Sequence, residues 1–207
     1  MMRRQVLLSS FQCKSEGASE SYSSFKWVEQ TARFHDVTLL TVDEPQVPAG
    51  VRLVRPSRRF PFTNRWFRRM NGELKVDYFL FDYAARRQFA MVIAEYDLVH
   101  HVAPIAPRYP CSLGVLAKKF ILGPVGGGQR VPPAFRAEVE GSEPWYFKLR
   151  LLDRWRLRHD PIVRRTFGKA DLILAIGSYM WEMIPGELHA KCELMLETGI
   201  DCERFQW

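Results

Sequence analysis

Short apolar runs alternate with helical sequence along this chain, and this alternation limits the possible folds more than any other feature. Three runs are continuous and apolar, as expected of strands buried on both faces of a sheet: Tyr96–Val102, Lys119–Leu122 and Asp171–Ile176. Helical patterns separate them, and no internal repeat interrupts the order. Because such strands pair in parallel through right-handed crossovers, the sequence predicts an α/β fold: a mostly parallel sheet with helices on both faces.

The rest of the chain follows the same order. Further apolar segments predict strands at Val6–Phe11, Val37–Val42, Val51–Val54 and Glu193–Leu196. Helical spacing predicts helices at about Ser19–Phe34, Glu73–Glu95, Pro144–Arg158 and Tyr179–Ile184. Asp160 before Pro161 is typical of a helix start with Asp160 as the N-cap. A chain of 207 residues is long enough for one sizeable domain or at most two small ones.

A glycine cluster directly after a predicted strand is the first candidate for a ligand site. Residues 120–135 read FILGPVGGGQRVPPAF, and Gly126, Gly127 and Gly128 allow positive φ angles and leave backbone N–H groups uncovered. Ligands of open α/β sheets bind outside the carboxyl ends of strands, where this cluster falls. A tight turn without a ligand is the alternative. Gln129, Arg130 and the glycine spacing exclude a P-loop and a dinucleotide fingerprint.

Charge and cysteine usage restrict the partners. The net charge of +7 and the pI near 9.4 favour an anionic partner, either a phosphorylated sugar donor, an acidic lipid surface or nucleic acid. The four cysteines are scattered, at Cys13, Cys111, Cys192 and Cys202, so we expect neither a disulfide framework nor a metal site. A reducing cytoplasmic compartment fits this cysteine usage best. No segment reaches the roughly twenty apolar residues of a membrane span. Any membrane contact would therefore be peripheral.

Two adjacent histidines end a predicted strand. In Tyr96–Val102 the side chains of His100 and His101 point to opposite faces of the sheet, because strand residues alternate. One could reach a ligand crevice while the other packs under a helix. The alternative is one hydrogen-bonded core histidine and one exposed histidine. A metal site is disfavoured because no third ligand stands at useful spacing.

The loop after the first strand offers a possible anion site. It reads CKSEGASE over residues 13–20 and precedes a helix whose first N–H groups are free, so Gly17 and Ser19 could touch a phosphate or a sugar hydroxyl. A plain N-cap at Ser19 is the alternative.

The segment from Arg58 to Met70 mixes arginines with aromatic rings. Such a mixture is typical of a membrane surface, where rings enter the interface and charges meet anionic lipid. The residues predicted to do so are Arg58, Arg59, Phe60, Phe62, Arg65, Trp66, Phe67, Arg68 and Arg69. A basic loop packed on the domain is the main alternative, and nucleic-acid binding is the least favoured.

Four segments resemble the N-terminal domain of a GT-B fold retaining glycosyltransferase, of the group 1 or family 4 type. They are EGASE at 16–20, YDLVHHV at 96–102, FILGPVGGG at 120–128 and ADLILAIGS at 170–178. The stretch ETGIDCERF at 197–205 is similar to the sequence at which such N-domains lead into the second domain. The resemblance spans the whole chain, and it implies that the sheet is Rossmann-like.

The resemblance also implies a division of labour. Residues 1–207 would form the acceptor-side domain, and a donor-binding domain absent from this chain would bind the nucleotide sugar; we expect no cofactor within this chain. The full protein would transfer the sugar to a lipid-linked or polysaccharide acceptor at the inner, cytoplasmic face of a membrane, and the chain alone would be inactive. The residues expected to bind acceptor or donor are Glu16, Gly17, Ser19, His100 and the glycines Gly126, Gly127 and Gly128, and by the resemblance Gly17 matches the family's glycine loop near the donor phosphates. Many relatives place a catalytic histidine after the strand equivalent to Lys119–Leu122, where this chain has GPVGGG, so His101 is the substitute candidate for the catalytic residue. The alternative function is a non-catalytic binding subunit that recruits a separate catalytic chain to the membrane.

Overall fold

The computed structural model describes residues 2–16, 20–56, 71, 75–127, 132–135 and 145–196. Within these ranges seven strands form one parallel sheet in the order β3-β2-β1-β4-β5-β6-β7. The strands are β1 (Gln5–Ser10), β2 (Asp36–Leu40), β3 (Arg52–Val54), β4 (Leu98–Ala103), β5 (Phe120–Val125), β6 (Leu172–Ile176) and β7 (Cys192–Met195). The predicted fold class is confirmed: the protein has an α/β, Rossmann-like fold.

Helices connect these strands. The α-helices of the described ranges are α1 (Glu20–Ala32), α2 (Asp77–Phe89), α3 (Ser112–Leu116), α4 (Asp153–His159), α5 (Pro161–Lys169) and α6 (Gly177–Met183). Short 3₁₀ segments occupy Ile93–Glu95, Pro133–Phe135, Trp145–Leu152 and Gly186–Lys191. The predicted cap of α5 is confirmed, because the Asp160 carboxylate accepts hydrogen bonds from the amides of Ile162 (3.0 Å) and Val163 (3.3 Å).

The sheet separates two hydrophobic cores. Along β1, Val6 and Leu8 point into one core and Leu7 into the other, since strand side chains alternate between faces. The smaller core is closed by Phe25 and Val28 of α1. The larger core contains buried side chains from each of α2 to α6. Helices therefore cover both faces, as predicted.

Several elements differ from the sequence prediction. The strand expected to stop at Leu122 continues to Val125, because Gly123 takes a φ of 134° and the register with β6 shifts there. The helix expected to reach Glu95 ends at Phe89, and the first half of the predicted helix Pro144–Arg158 is a 3₁₀ segment. The sequence also missed α3, whose N-terminal amide at Ser112 bonds to the distant Asp82 carboxylate (2.8 Å). A contact between residues so far apart in the chain produces no local motif in the sequence.

Candidate functional site

The carboxyl ends of β1 and β4 lie side by side where the sheet reverses its direction of winding. From β1 the chain crosses through α1 on one face to reach β2, and after β3 it crosses through α2 on the other face to reach β4. Connections that leave in opposite directions open a crevice at the carboxyl ends of the strands, and α/β proteins bind their ligands there. The residues around this edge are the candidate site.

Glu20 connects three segments at this edge. From the first turn of α1, its Oε1 accepts a hydrogen bond from the amide of Ile105, which follows β4 (2.8 Å). Its Oε2 accepts a hydrogen bond from Nζ of Lys75, which precedes α2 (2.7 Å). Both side chains of this ion pair are largely buried. The pair is a fixed anion and cation beside the crevice, and a carboxylate in the first turn is favoured by the helix dipole.

The glycine cluster lies at the same edge, directly after β5. Gly126 donates its amide to the Ile105 carbonyl (2.9 Å) and so joins the loops after β4 and β5. A Cβ at Gly126 would lie 2.7 Å from Cδ1 of Ile176, at the end of β6. Gly127 has a φ of 96° and is exposed. The tight turn is therefore present, and at Gly127 it presents accessible backbone that no side chain covers.

His100 fastens β4 to β5. Its Nε2 lies 2.7 Å from the carbonyl oxygen of Gly123, and its ring meets Trp27 of α1 edge-on, with centroids 4.9 Å apart. Burial lowers the pKa of His100 to about 4, against the opposing effect of the Gly123 carbonyl. The ring is neutral at pH 7, so Nε2 carries the proton and donates it to Gly123. His100 is thus the histidine that packs under a helix.

His101 lies on the opposite face, beneath the loops of the carboxyl edge. It is only 2% exposed, its ring lies 5.9 Å from that of Tyr78, and neither ring nitrogen forms a hydrogen bond of good geometry with a described residue. Burial, reinforced by the neighbouring His100, lowers the pKa of His101 to about 3, although the Pro104 backbone acts in the other direction. The expected placement on opposite faces is confirmed. The alternative of one exposed histidine is wrong, because both rings are buried, His100 against Trp27 of α1 and His101 near Tyr78 of α2.

A small cavity adjoins His101. It lies between the segment Pro104–Tyr109 after β4 and the segment Leu122–Val125 of β5, with Phe167 of α5 behind it. Its volume is about 10 Å³, which is room for about one water molecule. A sugar ring does not fit this space. A larger ligand would therefore bind at the open edge, above His101 and not beside it.

No protein family model matches the chain, and no curated protein matches it. Its fold is similar to the crystal structure of a glycosyltransferase from Rickettsia africae ESF-5, with a TM-score of 0.42 and 12% sequence identity. The match covers 99% of this chain and 45% of that chain. The chain therefore spans less than half the length of that structure.

Several predicted site residues lie outside the described ranges. These are Gly17, Ser19, Gly128 and the predicted membrane-surface residues Arg58, Arg59, Phe60, Phe62, Arg65, Trp66, Phe67, Arg68 and Arg69. Glu16 is exposed at the end of the loop after β1. Across the described part of the chain, no cluster of three His, Cys, Asp or Glu residues could hold a metal ion. No helix in that part is long and apolar enough to cross a membrane.

Sequence reasoning missed four charged residues near this edge. Glu20 lies 55 residues from Lys75 and 85 from Ile105, and Arg108 lies 45 residues from its buried partner Asp153. Separations of this length produce no motif. The one local signal was for Glu20, since acidic residues are enriched in the first turn of helices.

Proposed function

We propose that this chain is the acceptor-side domain of a retaining glycosyltransferase, which transfers a sugar from a nucleotide-sugar donor to a lipid-linked or polysaccharide acceptor. The observation that carries the proposal is the crevice at the topological switch point, bordered by the exposed Gly127 backbone and by the Glu20–Lys75 pair. The sequence segments that resemble GT-B glycosyltransferases include the chain on both sides of this crevice.

The chemistry of sugar transfer suits such an edge. The donor's leaving group is a phosphate, and its developing negative charge needs backbone N–H groups or cations held in place before the reaction. Gly127 offers uncovered backbone, and Lys75 is held near the crevice by Glu20. A catalytic role for His101 would require the loops after β4 and β5 to move apart, because the ring is buried beneath them.

A panel of nucleotide sugars tests this proposal. The gene product, including any sequence it encodes beyond Trp207, is incubated with each donor and a lipid extract, and release of free nucleotide is followed. We expect release with at least one donor, and more release when the lipid acceptor is present. The 207-residue chain alone should release nothing, because the proposal places donor binding in a second domain. No release by the gene product with any donor contradicts the proposal.

Two glycines with similar backbones provide a matched pair of variants. Gly127 and Gly50 both have positive φ (96° and 86°), both are exposed, and a Cβ added at either would meet no atom closer than 3.8 Å. Gly127 lies at the carboxyl edge, whereas Gly50 precedes β3 and lies at the opposite, amino edge. Gly127→Val should lower sugar transfer by about tenfold or more by blocking approach to the backbone. Gly50→Val should lower stability to a similar extent and leave transfer unchanged.

A further inference from the structure

Large apolar side chains project from the surface around α4. Leu151 is 76% exposed, Trp155 58% and Ile162 63%, and Leu149 and Leu152 are also exposed. We call these five residues the α4 ridge. Three of them, Leu151, Trp155 and Ile162, keep more than half of their surface free and therefore project into solvent. Five large exposed apolar side chains within the segment Leu149–Ile162 are typical of an interaction site.

The orientation of α4 explains why Trp155, at the centre of the ridge, faces outward. Asp153 and Leu157, one helical turn apart, are both buried against the domain. Trp155 lies between them in sequence and therefore on the opposite side of the helix, at 3.6 residues per turn. Exposed arginines flank it at positions 154 and 158. The outer side of α4 is thus apolar at its centre and basic at its borders.

The charge of this surface has one sign. The acidic residues of segment 145–169 are Asp153 and Asp160, and both are engaged: Asp153 pairs with Arg108, while Asp160 pairs with Arg156 and caps α5. Arg154, Arg158, Arg164 and Arg165 are exposed, and none of the four forms an ion pair with a described residue. Among the described residues of segment 145–169, the ridge is therefore accompanied by unpaired positive charge and by no unpaired acid.

We infer that the α4 ridge docks on an anionic lipid surface. Projecting leucine, isoleucine and tryptophan side chains suit the boundary between headgroups and acyl chains, and arginines beside them meet lipid phosphates. An acidic protein groove would also attract the arginines, but it would have to enclose a broad set of projecting side chains. A bilayer accepts them without a matching shape. This inference does not depend on sugar transfer or on the Arg58–Arg69 segment.

Vesicle binding tests the inference with the whole chain. Sedimentation is measured with vesicles of phosphatidylcholine alone and with vesicles containing one third phosphatidylglycerol. The test variant is Arg154→Gln/Trp155→Ser/Arg158→Gln. The control is Arg33→Gln/Phe34→Ser/Arg52→Gln, which removes the same charge and one exposed ring at other places on the surface: Arg33 and Phe34 follow α1 on the opposite face of the sheet, and Arg52 lies on the edge strand β3. Circular dichroism and urea unfolding confirm that both variants are folded.

The wild-type chain should bind the anionic vesicles and not the neutral ones. The test variant should bind them at least about 25-fold more weakly, because each arginine near the surface contributes about fivefold. The control should lose less than about threefold, since charges beyond a Debye length are screened. Brominated lipid should quench the tryptophan fluorescence of Trp155→Phe less than that of the wild type. This variant should still bind the vesicles, because it keeps an apolar ring at position 155.

Two results would overturn the inference. One is equal loss of vesicle binding in the test variant and the control, which would place the contact elsewhere on the chain. The other is failure of the wild-type chain to bind the anionic vesicles. Filter binding of nucleic acid, or capture of an acidic protein, that requires the arginines of the ridge would then identify the partner instead.

Discussion

Arg108 and Asp153 form a forked ion pair in which Nε lies 2.9 Å from Oδ1 and Nη2 lies 2.5 Å from Oδ2. Arg108 is 12% exposed and Asp153 is 1% exposed. The planar guanidinium matches the carboxylate at two points, so the fork fixes orientation as well as distance. The pair fastens α4, and with it the proposed lipid-binding ridge, to the loop after β4 at the candidate site.

Removal of one partner of this pair should lower the free energy of unfolding strongly. Asp153→Ala leaves the Arg108 charge buried and unpaired, and we expect the free energy of unfolding to fall by about 3 kcal/mol. The double variant Arg108→Met/Asp153→Leu should lose less, because no lone charge remains. Glu29→Ala, in the more exposed Lys26–Glu29 pair, should cost no more than about 0.5 kcal/mol. Urea unfolding measures all three, and similar losses for Asp153→Ala and Glu29→Ala would contradict the prediction.

Two replacements of Glu20 separate its two bonds. Glu20→Gln keeps an acceptor for the Ile105 amide but loses the charge that pairs with Lys75, and we expect a loss of about 1 kcal/mol. Glu20→Ala loses both bonds, so about 2 kcal/mol or more is expected. Hydrogen exchange at the Ile105 amide should accelerate in Glu20→Ala and remain slow in Glu20→Gln. Equally fast exchange in both variants would show that Glu20 does not hold this loop.

The elements of this fold could be predicted because their signals are local. The buried strands around Val99, Leu122 and Ile173 are continuous apolar runs, and a strand of that type needs no knowledge of its neighbours. Asp160 and Pro161 mark the start of α5 within two residues. The alternation of strands and helices then predicts the parallel arrangement, and the right-handed crossover rule fixes the hand of each connection.

The details of the candidate site could not be predicted in the same way. Placing the Gly126 turn required only the strand before it, but the close approach of the Ile176 side chain, whose Cδ1 lies 2.7 Å from the position of a Cβ on Gly126, comes from β6. The histidines were placed at a strand end with one of them free to reach a crevice, whereas Trp27 of α1 covers His100 and Tyr78 of α2 lies beside His101, so both are buried. Such outcomes depend on which strands become neighbours. That is a property of the whole sheet.

Replacement by alanine should destabilise the protein at Gly114 in α3 but not at Gly168 in α5. A Cβ on Gly114 would lie 2.2 to 2.4 Å from ring carbons of Phe120, a fully buried residue of β5 that has no space to move. We expect Gly114→Ala to lower the free energy of unfolding by about 3 kcal/mol through overpacking. Gly168→Ala meets nothing within 4 Å and should instead raise stability by up to about 1 kcal/mol through helix propensity. Thermal unfolding of the two variants would test this, and a shift of the same sign in both would refute the packing argument.

The buried histidines should make stability depend on mildly acidic pH. The pKa of His101 falls from its ordinary value of 6.5 to about 3 in the folded protein, and that of His100 falls to about 4. Between pH 6.5 and the lowered pKa of each histidine, the unfolded chain binds more protons than the folded chain. The stability contributed by the neutral histidines is therefore fully present above pH 6.5 and declines as the pH falls. Each histidine contributes a slope of about 1.4 kcal/mol per pH unit within this window.

The variant His101→Phe isolates one of these two contributions. Between pH 7 and pH 5 it should lose about 2 kcal/mol less stability than the wild type, because a neutral ring has no proton to bind after unfolding. His159→Phe makes the same replacement at an exposed position of α4 and should keep the wild-type slope. Urea unfolding at several pH values gives the comparison, in which all other titrating groups cancel. Parallel curves for His101→Phe and the wild type would mean that His101 is protonated, or solvated, in the native protein.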